Sequence, residues 1–231
     1  VLINVPTLKT HHLAGLTVSF KNLYGALSRE DRIYYHKIDR IEEVIVDLNI
    51  VKPSDVITVD GTYSTHHFPP FETQRLDLTL AGNNSVEVDT VAARIMGVDP
   101  RTIRYLRWAE EHGLGTLDLS KIRISGLSIE EAFRKKTVTS VDYVNKKHDK
   151  IQLINGDACT GCFGRIATAL FREYNTQPIK EKVYVFMGPE ARPPDPQKGE
   201  NVILCGDCLA PTFYNRLQGE FVRGCPPDLE A

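Results

Sequence analysis

Five cysteines in the last third of the 231-residue sequence carry its strongest chemical signal. Cys159 and Cys162 form one C-x-x-C pair, Cys205 and Cys208 form a second, and Cys225 adds a fifth thiol. Two intervening residues let both sulfurs of a turn face one ion, and two such turns complete a tetrahedral site of four thiolates. All five cysteines are therefore candidate metal ligands, with Cys205 the weakest because it directly continues a strand-like run.

The spacing of these cysteines bears on which metal they would hold. Tetrahedral thiolates suit zinc or an iron–sulfur cluster. The segment between the two pairs, residues 163–204, is far longer than the roughly 15–20 residues of a compact zinc ribbon. Cys225 is followed by Pro226, as in bacterial ferredoxin ligand runs. We expect an iron–sulfur cluster, of the 4Fe–4S type, with structural zinc and a redox-active or buried set of thiols as the alternatives.

A second group of polar residues lies near the N-terminus, at Lys9, Thr10, His11, Lys21 and Asn22. The pattern predicts a strand, a polar turn containing glycine, and then a helix, which is an arrangement where backbone amides bind anions. It matches neither a P-loop nor a G-x-G-x-x-G turn. We predict a phosphate or carboxylate site in which both lysines hold the anion and His11 supplies a proton or a metal-ligand nitrogen. Alternatively, Lys21 and Asn22 only hold loops in place.

Other polar and aromatic residues have simpler interpretations. The pair His66–His67 follows a predicted strand that ends at Asp60, and a solvated loop is the favoured interpretation there. Asp60 and Asp89 could contact a metal or a substrate, or could simply end a strand and cap a helix. Tyr105 and Trp108 are expected to pack against the core.

The first half of the sequence alternates between strand and helix patterns. Runs rich in branched residues predict strands at Val1–Val5 and Asp55–Asp60, and apolar residues at helical spacing predict a helix over Ile38–Leu48. A second helix is predicted over Asp99–Gly113, from an N-cap aspartate followed by proline to a terminating glycine. Ser128–Glu131 has the pattern of a capping box. The order of these elements predicts a β-α-β arrangement.

The same alternation resumes after a polar and charged stretch at Lys135–Lys150. Strands are predicted at Ile151–Ile154, Lys182–Met187 and Asn201–Leu204, with a helix over Ile166–Tyr174 between the first two. Strands interleaved with helices predict an α/β fold with two lobes of mostly parallel sheets flanked by helices. We place an α/β domain at 1–146 and a smaller α/β lobe with the cysteines at 147–231.

Composition excludes several classes of protein. Hydrophobic residues make up 42% and charged residues 25%, which excludes disorder, collagen and coiled coil as overall descriptions. A net charge of −2 gives no field that favours nucleic acid, and no apolar run approaches the roughly 20 residues of a membrane span, so we expect neither as a partner. An odd number of cysteines favours a reducing, cytoplasmic location. The chain starts at Val1 without methionine, and we expect a preceding segment.

Several strings in the first half identify a resemblance. They are Lys9-Thr10-His11, Gly15, Thr17, Lys21-Asn22 and Gly25, then Val59-Asp60-Gly61, Ala81-Gly82-Asn83-Asn84-Ser85-Val86-Glu87-Val88-Asp89 and Met96-Gly97-Val98-Asp99-Pro100. Over about residues 1–130 the chain resembles, in the same order, the family catalogued as domain of unknown function 362. Members often carry an iron–sulfur module beside this domain, which implies such a module at Cys159–Cys225. The chain has no C-x-x-C-x-x-C-x-x-x-C-P run.

A fainter similarity connects the N-terminal group with nickel-pincer lactate racemases. His11, Gly15, Thr17, Lys21 and His36 fall in an arrangement comparable to their His…Gly…Ser-Gly-Gly…Lys string, although the Ser-Gly-Gly itself is absent. The similarity implies that the loop after the first strand holds a ligand.

Three functions stay open from the sequence. We expect an iron–sulfur protein, either a redox protein with a partner protein or an oxidoreductase, that also binds an anionic small molecule at the Lys9–Lys21 turn. A zinc-containing structural or assembly protein without catalysis is the alternative, and a racemase-like nickel-pincer enzyme is the third. The sequence identifies no nucleophile or general base, so it does not define a reaction.

Overall fold

The structure is a computed structural model that describes residues 1–11, 15–38, 40–65, 73–134, 144–146, 148–173, 179–192, 201–209, 219–225 and 227. The chain divides into two compact units, Val1–Lys136 and Thr137–Ala231. The domain boundary predicted from the sequence lies between residues 146 and 147, and residue 147 is outside the described part of the chain.

In the described part of the first unit, two small sheets form the strand framework. Their strands are β1 (Ile3–Asn4), β2 (Lys9–His11), β3 (Gly15–Thr17), β4 (Val56–Thr65) and β5 (Thr73–Gly82). In one sheet, of order β1-β4-β5, β4 pairs parallel with β1 and antiparallel with β5. In the other, β2 and β3 pair antiparallel, with Lys9 opposite Thr17 and His11 opposite Gly15. This unit therefore mixes parallel and antiparallel pairing.

Helices of the first unit are α1 (Ser19–Asn22), α2 (Arg29–Lys37), α3 (Ile41–Val51), α4 (Ser85–Ile95), α5 (Arg104–Glu111) and α6 (Ile129–Ala132). Short 3-10 helices lie at Leu23–Ala26, Pro100–Thr102 and Leu119–Lys121. Helix α3 lies between β1 and β4 in the chain, and these two strands are parallel. The predicted β-α-β arrangement is confirmed.

The predicted capping residues are confirmed by their hydrogen bonds and backbone conformation. The Ser128 hydroxyl accepts from the Glu131 amide, and the Glu131 carboxylate accepts from the Ser128 amide at 2.8 Å, which completes the capping box. Asp99 accepts from the Arg101 amide, and Gly113 has a left-handed φ of +72°. The helix after Asp99 differs from expectation, since a 3-10 turn comes first and α5 begins only at Arg104.

An apolar core of described residues joins the helices and sheets of the first unit. Tyr105 is fully buried, with its ring centroid 5.4 Å from that of Phe20. Arg104 is also buried; it donates to the Glu42 carboxylate at 2.8 Å and lies over the Trp108 ring at 4.3 Å. Tyr105 and Trp108 therefore pack as predicted.

The second unit is built on one parallel sheet. Its strands are β6 (Ile151–Asn155), β7 (Val183–Met187), β8 (Asn201–Cys205) and β9 (Glu220–Val222), in the order β6-β7-β8-β9. Helix α7 (Thr160–Glu173) follows β6 and begins before the predicted start at Ile166, so that Cys162 lies in its first turn. Together with the first unit, this sheet confirms the α/β fold class.

Alternate residues of this sheet pack on its two faces. Met187 and Cys205 belong to one apolar cluster, whereas Phe186 and Leu204 belong to another. A sheet covered on both faces is typical of parallel strands. Because all four strands run in the same direction, their carboxyl ends meet at one edge, and the loops that leave this edge contain the cysteines.

Among the described helices, none is long and apolar enough to cross a membrane.

Candidate functional site

The first candidate site lies at the carboxyl edge of the parallel sheet and is called here the cysteine edge. It comprises Cys159, Cys162, Cys205, Cys208 and Cys225. The first two follow β6, the second two end or follow β8, and the last follows β9. The loop after β7 joins them, because the Gly188 backbone amide donates a hydrogen bond to the Cys208 sulfur. All four strand ends contribute to this edge.

One cysteine sulfur at this edge is in contact with two others. The Cys162 thiol makes hydrogen-bonding contacts with the sulfurs of both Cys159 and Cys208. Cys159 and Cys162 come from the loop after β6 and the start of α7, whereas Cys208 comes from the 3-10 turn after β8. The fold thus joins sulfurs of both C-x-x-C pairs.

Gly206 makes this approach possible. Its φ is +97°, a conformation that side chains other than glycine rarely adopt. A Cβ atom at this position would lie 3.1 Å from the Cys162 Sγ and 3.7 Å from the Cys208 Sγ. The bare backbone therefore lies directly against two of the sulfurs.

Cys225 and Cys205 occupy different positions at this edge. Backbone hydrogen bonds from Gly206 to Val222 (3.0 Å) and from Asp207 to Gly224 (3.1 Å) hold the turn after β8 against the segment that leads into Cys225. Cys225 is exposed at the end of that segment. Cys205 is buried, and its side chain belongs to the apolar cluster beneath the edge.

The thiols of this edge differ in acidity. Hydrogen bonding with Cys159 and then Cys208, together with burial, raises the pKa of the Cys162 thiol. The hydrogen bond from Cys162 is the main cause that lowers the pKa of Cys208, to about 7. Burial alone raises the pKa of Cys205 to about 12. Cys208 is thus the most readily ionised of these three thiols, whereas Cys205 is protonated at neutral pH.

No group of three or more His, Cys, Asp and Glu side chains within the described ranges has the arrangement of a metal site. The donor chemistry nevertheless fits a soft, thiolate-bound group, because the Cys162 sulfur is in contact with the sulfurs of Cys159 and Cys208. Cys159, Cys162, Cys208 and Cys225 are the residues that could hold it.

The second candidate site lies in the first unit and is called here the lysine–histidine ring. It comprises Lys9, His11, Lys21, Tyr24 and His36. The Lys21 Nζ lies 5.6 Å from the Tyr24 ring centroid, Tyr24 packs edge-on against His36 at 5.8 Å, and His36 lies 6.5 Å from His11. Lys9 and His11 are alternate residues of β2 and so share a face, and Lys9 in turn acts electrostatically on Lys21. Each of the five side chains is therefore a neighbour of the next, and Lys9 is in turn a neighbour of Lys21.

Short local elements position this ring. The β2–β3 hairpin holds Lys9 and His11, α1 holds Lys21, the 3-10 turn holds Tyr24, and α2 holds His36. The Tyr24 hydroxyl donates to the Arg32 carbonyl of α2 at 2.7 Å, which fixes the ring of Tyr24 relative to that helix.

Asp89 anchors α1 from the neighbouring helix α4. Its carboxylate is fully buried and accepts hydrogen bonds from the Ser19 amide (2.8 Å), the Ser19 hydroxyl (2.6 Å), the Phe20 amide (3.3 Å) and the Tyr105 hydroxyl (3.1 Å). Burial outweighs these bonds and raises the pKa of Asp89 to about 6. Asp89 therefore caps a helix, which was one of its two predicted roles, and it holds the segment that carries Lys21.

The lysine–histidine ring contains two positively charged side chains, Lys9 and Lys21, which act on each other electrostatically. Burial, with the charge of Lys9 as a second cause, lowers the pKa of Lys21 to about 8. Within the part of the chain that the structure describes, neither ammonium has a carboxylate partner. His11 is only 8% exposed, whereas His36 is exposed to solvent. The ring can thus receive an anion from the solvent side.

The structure places the remaining residues of the predicted anion site differently. Thr10 lies on the opposite face of β2 from Lys9 and His11. Asn22 donates to the Asn4 side chain at 2.8 Å, and Asn4 in turn donates to the Ser19 carbonyl at 2.9 Å, so Asn22 helps to hold α1. The expectation that His11 lies in a turn is wrong, because backbone pairing with Gly15 extends the strand through His11.

Other predicted candidates are structural or lie elsewhere. Asp60 lies within β4, where its carboxylate accepts from the Thr62 amide at 2.9 Å. His66–His67 falls outside the described residues. A cavity of about 300 Å³ lies along β5, α4 and the segment 122–127, and no predicted site residue lines it.

Sequence reasoning missed three residues that shape these sites: Gly188, Gly206 and Tyr24. Gly206 lies between the cysteines of a C-x-x-C pair, a position where glycine itself signals a close approach of backbone and sulfur. Gly188 directly follows a predicted strand of the sheet, where a loop at the same edge is expected. Tyr24 stands three residues after Lys21, which is neighbouring spacing on a helix.

Comparison with known proteins bears on the first unit. Residues 1–94 match the family model described as Domain of unknown function (DUF362). The resemblance found in the sequence is confirmed for these residues, which include the whole lysine–histidine ring and Asp89. The match ends before residue 130, to which the resemblance was expected to extend.

The chain is also similar to the thylakoid-associated protein sll1697 of Synechocystis sp., with 26% identity over 121 residues. The aligned part covers 49% of this chain and 38% of that protein, so the chain spans well under half of its relative's length. No solved structure matches the chain.

Proposed function

We propose that the second unit binds an iron–sulfur cluster of the 4Fe–4S type at the cysteine edge, through Cys159, Cys162, Cys208 and Cys225. The observation that carries this proposal is the contact of the Cys159, Cys162 and Cys208 sulfurs, which come from two separate loops. Cys225 completes the set because the backbone just before it is hydrogen-bonded to the turn that holds Cys208.

The assignment leaves Cys205 outside the ligand set. Its thiol is buried in an apolar cluster with Leu153 and Met187, and only burial affects its pKa. A buried cysteine of this kind behaves as a small apolar residue. Four cysteines then remain at the edge, which is the number that a cluster with four thiolate ligands requires.

A bound cluster would supply one-electron transfer. The chain's own groups would hold and tune it: thiolates bind, and the Gly188 amide donates to the Cys208 sulfur, an interaction of the kind that shifts a cluster's reduction potential. We further propose that the protein exchanges electrons with a redox partner in the cytoplasm. The odd number of cysteines, five, suits a reducing compartment.

Cysteine variants test the cluster proposal. Cys162→Ala removes the sulfur that contacts both others, and it is expected to abolish iron and sulfide binding in protein purified without oxygen. Cys205→Ala is the matched control and is expected to keep both, because it deletes a buried thiol at the end of β8, inside the apolar cluster, and removes no proposed ligand.

Two results would count against this assignment. Zinc bound in place of iron by the unaltered protein would favour the structural alternative. Loss of metal from Cys205→Ala but not from Cys162→Ala would contradict the choice of ligands.

We also propose that the lysine–histidine ring binds a small anion, a phosphate or a carboxylate. Two ammonium groups without a carboxylate partner in the described part of the chain support this, because a shared anion offsets the repulsion between them.

Titration with inorganic phosphate tests the anion site. Lys21→Gln is expected to weaken binding, whereas Lys52→Gln, at an exposed ion pair with Asp55, is the control that should not. Equal binding by both variants would contradict the site.

A further inference from the structure

Lys21 differs in its surroundings from an ordinary surface lysine. Its ammonium lies 5.6 Å from the Tyr24 ring centroid, is partly buried, and has a second ammonium, that of Lys9, as an electrostatic neighbour. The imidazole of His36 packs edge-on against the Tyr24 ring, and the imidazole of His11 lies 6.5 Å from that of His36. The ring therefore combines an amine, a cation that can hold a carboxylate, and two imidazoles.

Building on the proposed anion site, we propose that Lys21 forms a Schiff base with a 2-oxo acid whose carboxylate is held by Lys9. An amine that is desolvated and lies beside another cation is the setting in which lysine attacks a carbonyl carbon. A 2-oxo acid carries the carboxylate and the carbonyl on adjacent carbons, which matches two neighbouring lysines with separate tasks.

The acidity of Lys21 supports this assignment of tasks. Burial, and then the charge of Lys9, lowers the pKa of Lys21 to about 8, so a substantial share of this amine is neutral near pH 7.5. An exposed lysine with an ordinary pKa has a neutral share roughly 200-fold smaller at that pH.

The reaction balances without any further reagent. The Lys21 nitrogen bonds to the carbonyl carbon, and the carbon–oxygen double bond is replaced by a carbon–nitrogen double bond. Starting from the ammonium form, two N–H protons leave with the oxygen as water, and the product is a protonated imine with the same charge. No atom is oxidised or reduced.

Borohydride trapping tests the proposal on the full chain. The protein is incubated with pyruvate near pH 7.5 and reduced with sodium borohydride, whose hydride converts an imine to a stable secondary amine. Peptide mass spectrometry is expected to locate the adduct, pyruvic acid less one oxygen atom, on Lys21, with at least about tenfold less on the exposed Lys52. Lys21→Arg keeps the positive charge but cannot form an imine, and should give no adduct at this position.

The outcomes distinguish the Schiff-base proposal from the anion-site proposal on which it rests. Absence of an adduct on Lys21, or equal labelling of Lys21 and Lys52, would overturn the Schiff base. If inorganic phosphate still binds in that case, and Lys21→Gln still weakens it, the anion site stands alone. If phosphate does not bind either, both proposals fail. Lys9→Gln also changes the pKa of Lys21, so its trapping is compared between pyruvate and acetone, a ketone without a carboxylate. A larger loss of trapping with pyruvate than with acetone would support the role given to Lys9, and equal losses would overturn that role.

Discussion

The cysteine edge and the lysine–histidine ring are assembled in opposite ways. The ring draws its five side chains from residues 9–36, on short elements that follow one another in the chain. The cysteine edge joins residues 159–225, which come together only because four parallel strands end at one edge. A site made from one continuous segment depends on local contacts, whereas a site made from strand ends depends on the whole sheet.

The cores beneath the two sites differ in the same sense. Among the described residues, one apolar core supports the first unit, and Asp89 ties α1 to it through four hydrogen bonds. The described residues of the second unit form two smaller clusters, on the two faces of its sheet. We therefore expect bound metal to matter more for the stability of the second unit than anion binding does for that of the first.

Removing the metal should show the difference between the two units most clearly. Stripping metal from the protein is expected to increase amide hydrogen exchange across β6, β7 and β8, because ligands from several strand ends no longer hold the sheet together. Strands β4 and β5 of the first unit serve as the internal control and should keep their protection. Equal exchange of the second unit with and without metal would contradict this expectation.

Asp89→Ala should have the largest effect on the first unit. It leaves the Ser19 and Phe20 amides and the Tyr105 hydroxyl without their buried acceptor, and we expect a loss of about 3 kcal/mol in the free energy of unfolding, measured by urea denaturation. Asp60→Ala, which removes an exposed carboxylate bonded only locally to Thr62, is the control and should change stability little. Similar effects of both variants would show that Asp89 does not anchor α1.

Gly206→Ala tests whether the bare backbone at residue 206 shapes the cysteine edge. The new Cβ requires an unfavourable φ and lies 3.1 Å from the Cys162 Sγ, so we expect a loss of stability of about 1–2 kcal/mol together with reduced metal content. Gly126→Ala is a matched control, since Gly126 has a φ of +98° and nothing within 4 Å of the added atom. It should show the backbone strain and leave metal content unchanged. Equal metal content in both variants would mean that Gly206 does not shape the site.

The smallest expected effect is on the pKa of Lys21. Burial and the positive charge of Lys9 both favour the neutral amine and lower the pKa of Lys21 to about 8. Its neutral share therefore rises as the pH increases through about 8. Lys9→Gln removes one of these causes and should raise the pKa of Lys21 towards its ordinary value. The pH dependence of Lys21 acylation, followed by mass spectrometry, measures this. A pKa that falls or stays the same would show that the two ammonium groups do not interact.

Much of the fold could be predicted from local patterns. Branched runs indicate β1, β4, β6, β7 and β8, whereas β5 and β9 were not predicted. Capping residues such as Ser128 and Asp99 mark helix starts that depend on only a few neighbouring atoms. The start of α7 was missed because Thr160 and Gly161 carry no apolar periodicity, although the helix includes Cys162. The strand through His11 was missed because its pairing with Gly15 depends on the hairpin rather than on the residue types.

The candidate sites were predictable in their reactive residues and less so in their surroundings. The cysteines and lysines stand out by type and spacing. Gly206, Gly188 and Tyr24 matter through what lies against them in space, which a single sequence does not show. The same reason explains Asn22, whose amide is engaged by Asn4 from another part of the unit.

Iron and acid-labile sulfide content of the full chain, purified without oxygen, tests the central claim most directly. A cluster bound by Cys159, Cys162, Cys208 and Cys225 predicts brown protein that contains iron and sulfide in equal amounts and little zinc. Colourless protein with one zinc per chain and no iron would contradict the iron–sulfur assignment and leave a structural zinc site at the same edge.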